Sequence, residues 1–367
     1  MSTIKQLLDT ITPDTIKALN PYQSASRDWQ TNELWLNANE SPFSDFYQLD
    51  TSTYNRYPEF QPPALLQRYA DYAGVTPEQV IAGRGADEGI EMLIRACCQP
   101  GQDSILICPP TYGMYAVSAA TFGINVQKQP LNDDFTLNTT ALTELAASEQ
   151  STGIKLVFLC SPNNPTGNPI PLDDVRQVAS AFADKALVVV DEAYFEFNTV
   201  TDSATSLFKD CPNVVVLRTL SKAFSLAGIR CGFTLAVPDV IQLMRKVSSP
   251  YPIPQPVAQI ATEVLSSAGL ARIQDRILYL NEQKAVLQQA LSTLHFVKAV
   301  YPSEANFLLV ATQNPTRILD LAADQGILLR NMTRQPGLED CIRISIGSQD
   351  ENQQLLELLT RIQPLIS

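Results

Sequence analysis

One histidine, His295, stands in a chain of 367 residues, and that scarcity excludes more chemistry than any single motif adds. A Ser-His-Asp triad has only this imidazole to use, and a histidine-rich metal site cannot be built. His295 lies in the apolar, strand-like run Leu294-His295-Phe296-Val297, where a structural part is expected; lysine is the better candidate for moving a proton. The seven cysteines are odd in number and show no C-x-x-C spacing, as expected of buried, reduced thiols. No apolar run reaches the roughly eighteen residues that cross a membrane. The N-terminal stretch carries Asp9 and Asp14 and lacks the apolar centre of a secretion signal. Positive charge is scarce too, with 26 basic against 38 acidic residues, a formal net charge of −12 and a pI near 4.6. Phosphate backbones need clustered Lys and Arg, so nucleic acid is a poor partner for this surface. These absences predict a cytoplasmic protein acting on small molecules, with no membrane, nucleic-acid or metal partner.

What is present is ordinary for a folded chain: 45% apolar residues and a mean hydropathy near zero, at a length that suits two domains. Ile4, Leu7, Leu8 and Ile11 share one helical face, and Thr12-Pro13 can open a second helix, so residues 1–33 are expected to form an arm that packs on a smaller domain or a second subunit. Residues 20–63 are rich in Pro, Asn, Ser and Tyr and are expected to be mostly loop, with a short strand at 33–36. From Gln79, apolar strands alternate with helices. The strands fall near 79–82, 104–108, 155–160, 187–190 and 214–217, which predicts a mostly parallel sheet covered on both faces. Pro250, Pro252, Pro254 and Pro256 interrupt this pattern, placing a large domain at 34–252 and a smaller α+β domain at 253–367. In the latter, one long helix to about Leu294 precedes strands near 296–301, 306–310, 327–330 and 341–346.

The chemistry concentrates at strand ends. Thr219-Leu-Ser221-Lys222 follows the apolar run Val214 to Leu217, and Arg230 follows the lysine by eight residues. Short hydroxyls and a guanidinium suit a phosphate, and a lysine amine kept partly unprotonated forms a Schiff base with an aldehyde. Pyridoxal 5′-phosphate requires both features; an ordinary strand-to-helix turn is the alternative. Gly83-Arg84-Gly85-Ala86-Asp87-Glu88-Gly89 tempts a dinucleotide reading, but that fingerprint needs glycine where Glu88 stands. A cradle for some anion at a helix start, or a structural turn, remains.

Tyr112 closes the next strand and can either stack on a planar ligand or fill the core. Asn164, in Ser161-Pro-Asn-Asn164-Pro-Thr-Gly167, sits in a turn stiffened by two prolines. Four apolar residues, Leu187 to Val190, run straight into Asp191, whose carboxylate requires a partner there: a pyridinium nitrogen or a metal. Arg343 alternates with Ile342 and Ile344, and Arg330 ends the run Ile327-Leu-Leu, so the two can clamp an anion or make separate surface ion pairs.

Taken together, Asn163-Asn164-Pro-Thr-Gly167, Asp191-Glu-Ala-Tyr194 and Ser221-Lys222 followed by Arg230 resemble fold-type-I pyridoxal-phosphate aminotransferases. LNANE, NRYPE, GRGADEGIEMLIRA, CPPTYGMYAVSA and RTLSKAFSLAGIRCGFTLA narrow the likeness to the histidinol-phosphate aminotransferases of histidine biosynthesis, over roughly residues 34–347. The resemblance implies an α/β homodimer using pyridoxal 5′-phosphate, with histidinol phosphate and glutamate or 2-oxoglutarate as substrates. It implies that Lys222 anchors the cofactor and carries the proton, that Asp191 pairs with the ring nitrogen, and that Tyr194 and Asn164 hold the ring oxygen under a stacked Tyr112. The cofactor phosphate falls to the Ala86 and Asp87 amides, Ser221, Arg230 and a Tyr57 from the second subunit, and the substrate anion to Arg330, Arg343 and Tyr22. Aromatic amino-acid aminotransferases and a threonine-phosphate decarboxylase use a similar set and stand as alternatives, as does a cofactor-sensing regulatory module, which the acidic charge disfavours.

Overall fold

The computed structural model describes residues 4–19 and 34–366. Its strands, in chain order, are β1 (Leu34–Leu36), β2 (Val80–Gly83), β3 (Ser104–Ile107), β4 (Asn125–Lys128), β5 (Ile154–Cys160), β6 (Leu187–Asp191), β7 (Val214–Thr219), β8 (Gly232–Leu235), β9 (Val297–Val300), β10 (Phe307–Thr312), β11 (Ile327–Asn331) and β12 (Cys341–Ser345). Seven of them form one sheet in the order β2-β8-β7-β6-β5-β3-β4. The run β4-β3-β5-β6-β7 is parallel throughout, and β8 alone runs against its neighbours β7 and β2.

The composition of the central strands explains their position. In β5, Leu156, Phe158 and Cys160 face one apolar cluster, while Val157 and Leu159 face the other. In β6, Val188 and Val190 point one way and Val189 the other. Period two therefore puts the apolar residues of both faces of these strands into a core, which β-branched side chains fill; Lys155, near the start of β5, stays partly exposed. The helices Gly85–Cys97 and Met114–Thr121 bury Ile90, Leu93, Tyr115 and Ala119 against one of these faces.

The second sheet has the order β1-β11-β12-β10-β9. Here β1 runs parallel to β11, with Leu34 opposite Ile327, whereas β12 is antiparallel to both β11 and β10. The short strand read near residue 33 thus belongs to the smaller sheet, although it precedes the larger one in sequence.

Several local readings change. The expected single helix up to Leu294 is two, Gln255–Val264 and Ser267–Leu291, because Ser266 caps the second by accepting from the Gly269 amide. Pro254 and Pro256 open the first of these as N-cap and first-turn residues, where a missing N–H costs nothing. His295 is exposed in the turn before β9, not buried in a strand. In the helix Ile4–Ile11 the whole apolar stripe is exposed, Ile4 at 70% and Ile11 at 63%.

Candidate active site

Parallel strands all end at the same edge of a sheet, so β5, β6 and β7 deliver Ser161, Asp191 and Thr219 side by side. Asp191 is 2% exposed at its strand end. One carboxylate oxygen accepts from the Tyr115 hydroxyl at 2.7 Å and the other from the Ala193 amide at 3.2 Å. Burial raises its pKa to about 6, despite those two donors. No basic side chain pairs with it among the described residues. The turn after it is braced from behind: Arg218 donates to Glu192 at 2.6 Å and Glu196 at 3.2 Å, and its guanidinium lies 3.9 Å from the Phe195 ring centre. That brace fixes where the intervening Tyr194 points.

Lys222 follows β7 in the turn set by Thr219, whose hydroxyl accepts from the Ser221 amide at 3.1 Å. Its Nζ donates to the Ala38 carbonyl at 2.8 Å and lies 5.7 Å from the centre of the Tyr194 ring. Burial, then the charge of Arg343, brings its pKa down to about 8. At neutral pH roughly a tenth of the amine is then uncharged and nucleophilic, far more than for an exposed lysine.

An anion pocket adjoins it. The helix Gly85–Cys97 begins here, and the N–H groups of its first turn, those of Ala86 and Asp87 included, have no carbonyl four residues earlier to bond. Arg230 donates to Ser221 Oγ at 3.2 Å and pairs with Asp87 at 3.2 Å, while the Tyr112 hydroxyl donates to the other Asp87 oxygen at 3.0 Å. Gly232 makes the arrangement possible: a Cβ there would lie 2.4 Å from Gly85 C and 2.6 Å from Ala86 N.

From the smaller sheet, Arg330 and Arg343 are cross-strand partners on β11 and β12. Like charges directly opposite each other oppose folding, which is tolerable where an anion is to be received. Arg343 is buried and donates to Asn164 Oδ1 at 2.6 Å and to the Asn37 carbonyl at 2.7 Å. Asn164 in turn donates to the Tyr194 hydroxyl at 3.4 Å.

The fold thus gathers Lys222, Asp191, Asn164, Tyr194, Ala86, Asp87, Tyr112, Ser221 and Arg230 along one edge, with Arg343 reaching it from the other sheet and Arg330 standing opposite Arg343 on the neighbouring strand. Tyr57 lies apart: it is 82% exposed and stacks on Tyr251 with ring centres 4.6 Å apart. Tyr22 falls outside the described residues. Two site residues escaped sequence reasoning. Tyr115, one helical turn beyond Tyr112, carried no sign of the strand end it faces; Asn39 had only its place in LNANE.

The chemistry available is specific. The paired features are an amine ready for an aldehyde, a buried carboxylate suited to a cationic ring nitrogen, and hydroxyls, amides and a guanidinium of the kind that receive a phosphate. The aminotransferase class I and II family matches residues 18–359. The histidinol-phosphate aminotransferase of Pseudoalteromonas atlantica is 48% identical over 362 residues, covering 98% of this chain and 96% of that protein. The enzyme of the same name from Yersinia pseudotuberculosis is 49% identical over 344 residues, 94% of this chain and 88% of that one. Among solved structures, histidinol-phosphate aminotransferase from Sinorhizobium meliloti in complex with pyridoxal-5′-phosphate matches with a TM-score of 0.84 at 24% identity, over 98% of this chain and 99% of that chain. At that identity the structural likeness speaks for the fold alone.

Proposed function

Because the chain belongs to the class I and II aminotransferases, we propose that it uses pyridoxal 5′-phosphate to move an amino group between L-histidinol phosphate and 2-oxoglutarate, yielding imidazole acetol phosphate and glutamate, in histidine biosynthesis. One juxtaposition carries the reading: the Lys222 amine, brought to about 8, with Arg343 among the charges that lower it. The anchoring amine and the anion-receiving guanidinium are close enough to feel each other, as a site joining cofactor to substrate demands.

The residues present fit the cofactor. Lys222 would hold its aldehyde carbon; Asp191 would hold the ring nitrogen and keep it protonated; Asn164 and Tyr194 would hold the ring oxygen beneath Tyr112. Ser221, Arg230 and the Ala86 and Asp87 amides would take the phosphate. When bound, the cofactor supplies the electron sink for a carbanion at the substrate carbon. Everything else falls to the chain. Arg343 and Arg330 orient the substrate by its anion, and a planar guanidinium accepts phosphate or carboxylate, so one pocket can serve both half-reactions. Lys222, whose buried amine has its pKa lowered to about 8, would be the base that holds and moves the proton at the reacting carbon.

We take the two sheets as cores of a large domain, 34–252, and a small domain, 253–367, with residues 1–33 as an arm and β1 as the strand that crosses between them. We also read the enzyme as a cytoplasmic homodimer. Support for the first is the seven free cysteines, and for the second the exposed Tyr57 and Tyr251. No helix among the described residues is long and apolar enough to cross a membrane.

Lys222→Ala protein is expected to lose the yellow colour of bound cofactor and all transamination of histidinol phosphate with 2-oxoglutarate. Normal turnover by that variant would overturn the mechanism. On the wild type, faster amino transfer from phenylalanine or tyrosine than from histidinol phosphate, or release of carbon dioxide from phosphothreonine, would move the substrate assignment elsewhere.

A further inference from the structure

Asn39 is 1% exposed and holds a left-handed backbone conformation, φ 54°, in a loop with no glycine to ease it. Non-glycine residues adopt such angles at a cost and persist there when their surroundings over-determine them. The surroundings do so here. The Asn39 amide N–H donates to Ser345 Oγ at 2.8 Å, its carbonyl accepts from Asn306 Nδ2 at 3.0 Å, and Ser345 Oγ donates to Asn39 Oδ1 at 3.2 Å. Its Nδ2 donates to the Tyr194 hydroxyl at 2.9 Å.

Donor and acceptor accounting settles which way this chain of bonds runs. Ser345 Oγ receives the Asn39 amide N–H, and Asn39 Oδ1 is the acceptor its own proton finds; the opposite amide orientation would leave that buried proton without this partner, so Oδ1 faces Ser345 and Nδ2 faces Tyr194. On the other side, Arg343 can only donate, so it fixes Asn164 Oδ1 toward itself and Asn164 Nδ2 toward Tyr194. Two amides thus occupy the acceptor capacity of one hydroxyl. A phenol has a single proton, and no acceptor among the described residues takes that of Tyr194.

We propose that Asn39 is a positioning residue whose side-chain amide, seated by Ser345, makes the Tyr194 hydroxyl a one-way hydrogen-bond donor into the site. The inference rests on the reading of Tyr194 as a contact of the cofactor ring oxygen. A donor at that oxygen stabilises its anionic form and so favours release of the proton shared between the ring oxygen and the lysine-linked nitrogen. Asp in place of Asn39 keeps the size and tolerates the left-handed backbone, yet it offers only acceptors. Tyr194 would then donate to residue 39, and the ring oxygen would keep Asn164 but lose the donor Tyr194 supplies.

The test is an absorbance titration of the pyridoxal-phosphate-loaded, full-length protein, following the pH midpoint of the bound cofactor's visible band in wild type, Asn39→Asp, Ser345→Ala, Tyr194→Phe and the Asn39→Asp/Tyr194→Phe double variant. Expected is an upward midpoint shift of about one pH unit in Asn39→Asp, the scale of one lost hydrogen bond, equal in sign to that of Tyr194→Phe and not increased in the double variant. Ser345→Ala, a small truncation chosen in case the buried carboxylate impairs folding, shifts the midpoint the same way by less. A wild-type midpoint in Asn39→Asp, or in Ser345→Ala should Asn39→Asp not fold, while Tyr194→Phe is shifted, overturns the role of Asn39 alone. An unshifted Tyr194→Phe removes Tyr194 from the ring oxygen and takes the inference with it.

Discussion

Asp191 shows how a single residue is tuned against the stability of its own fold. A carboxylate 2% exposed, with two neutral donors and no cation, is costly to ionise, and its pKa rises from 3.8 to about 6. The sign follows from linkage. Below about 4 the group is protonated whether folded or unfolded and contributes nothing; between there and about 6 the unfolded chain releases a proton that the folded chain retains; above 6 the folded protein bears the full penalty, up to ~3 kcal/mol. In cofactor-free protein, Asp191→Asn should therefore raise the melting temperature at pH 7 to 8 and have little effect near pH 4. Equal effects at both pH values, by calorimetry, would show that the carboxylate is not held at this cost. The same substitution should weaken cofactor binding, since the stored penalty is what a cationic ring nitrogen would relieve. Asp191 was legible from sequence because an apolar run collided with a charge. Tyr115, its 2.7 Å donor, was not, since a tyrosine inside a helix gives no sign of which strand end it faces.

Among the elements, the seven-stranded sheet was legible where its strands are continuous apolar runs, as most of those buried on both faces are. Two strands of it escaped. β4 reads Asn125-Val-Gln-Lys128 at the sheet edge, where its two end residues are exposed and no apolar run forms. β8, Gly232-Phe-Thr-Leu235, is short, opens on glycine and is hidden in the tail of the Lys222 motif. Its glycine has a specific duty, as the only residue type that lets β8 approach the start of the helix Gly85–Cys97 so closely. Gly232→Ala would push the Ala86 amide off its line, and we expect the pyridoxal-phosphate dissociation constant to rise by about tenfold or more, ~1.4 kcal/mol. Histidinol-phosphate KM at saturating cofactor should stay near the wild-type value. An unchanged cofactor affinity by fluorescence titration would dissociate β8 from the phosphate pocket.

At the scale of the molecule, three consecutive residues of the early loop join the two sheets: the Asn37 carbonyl receives Arg343, the Ala38 carbonyl receives Lys222, and Asn39 reaches both Tyr194 and Ser345. Those partners lie between 155 and 306 residues away, so pattern in the local sequence could not announce them. The site is thus assembled by tertiary structure, and we expect one further piece to come from a second copy of the chain. Tyr57, expected at the cofactor phosphate of a second subunit, is exposed beside Tyr251 within its own chain. If it serves the neighbouring site, lesions at Lys222 and Tyr57 complement each other across a dimer. In a mixed dimer of Lys222→Ala and Tyr57→Ala chains, one site carries both lesions and the other carries neither. Random reassortment of equal amounts puts one chain of each kind into half of the dimers, so about a quarter of wild-type activity should appear at limiting cofactor. Activity no greater than the average of the two parents after reassortment would place Tyr57 in service of its own chain, or of no site at all.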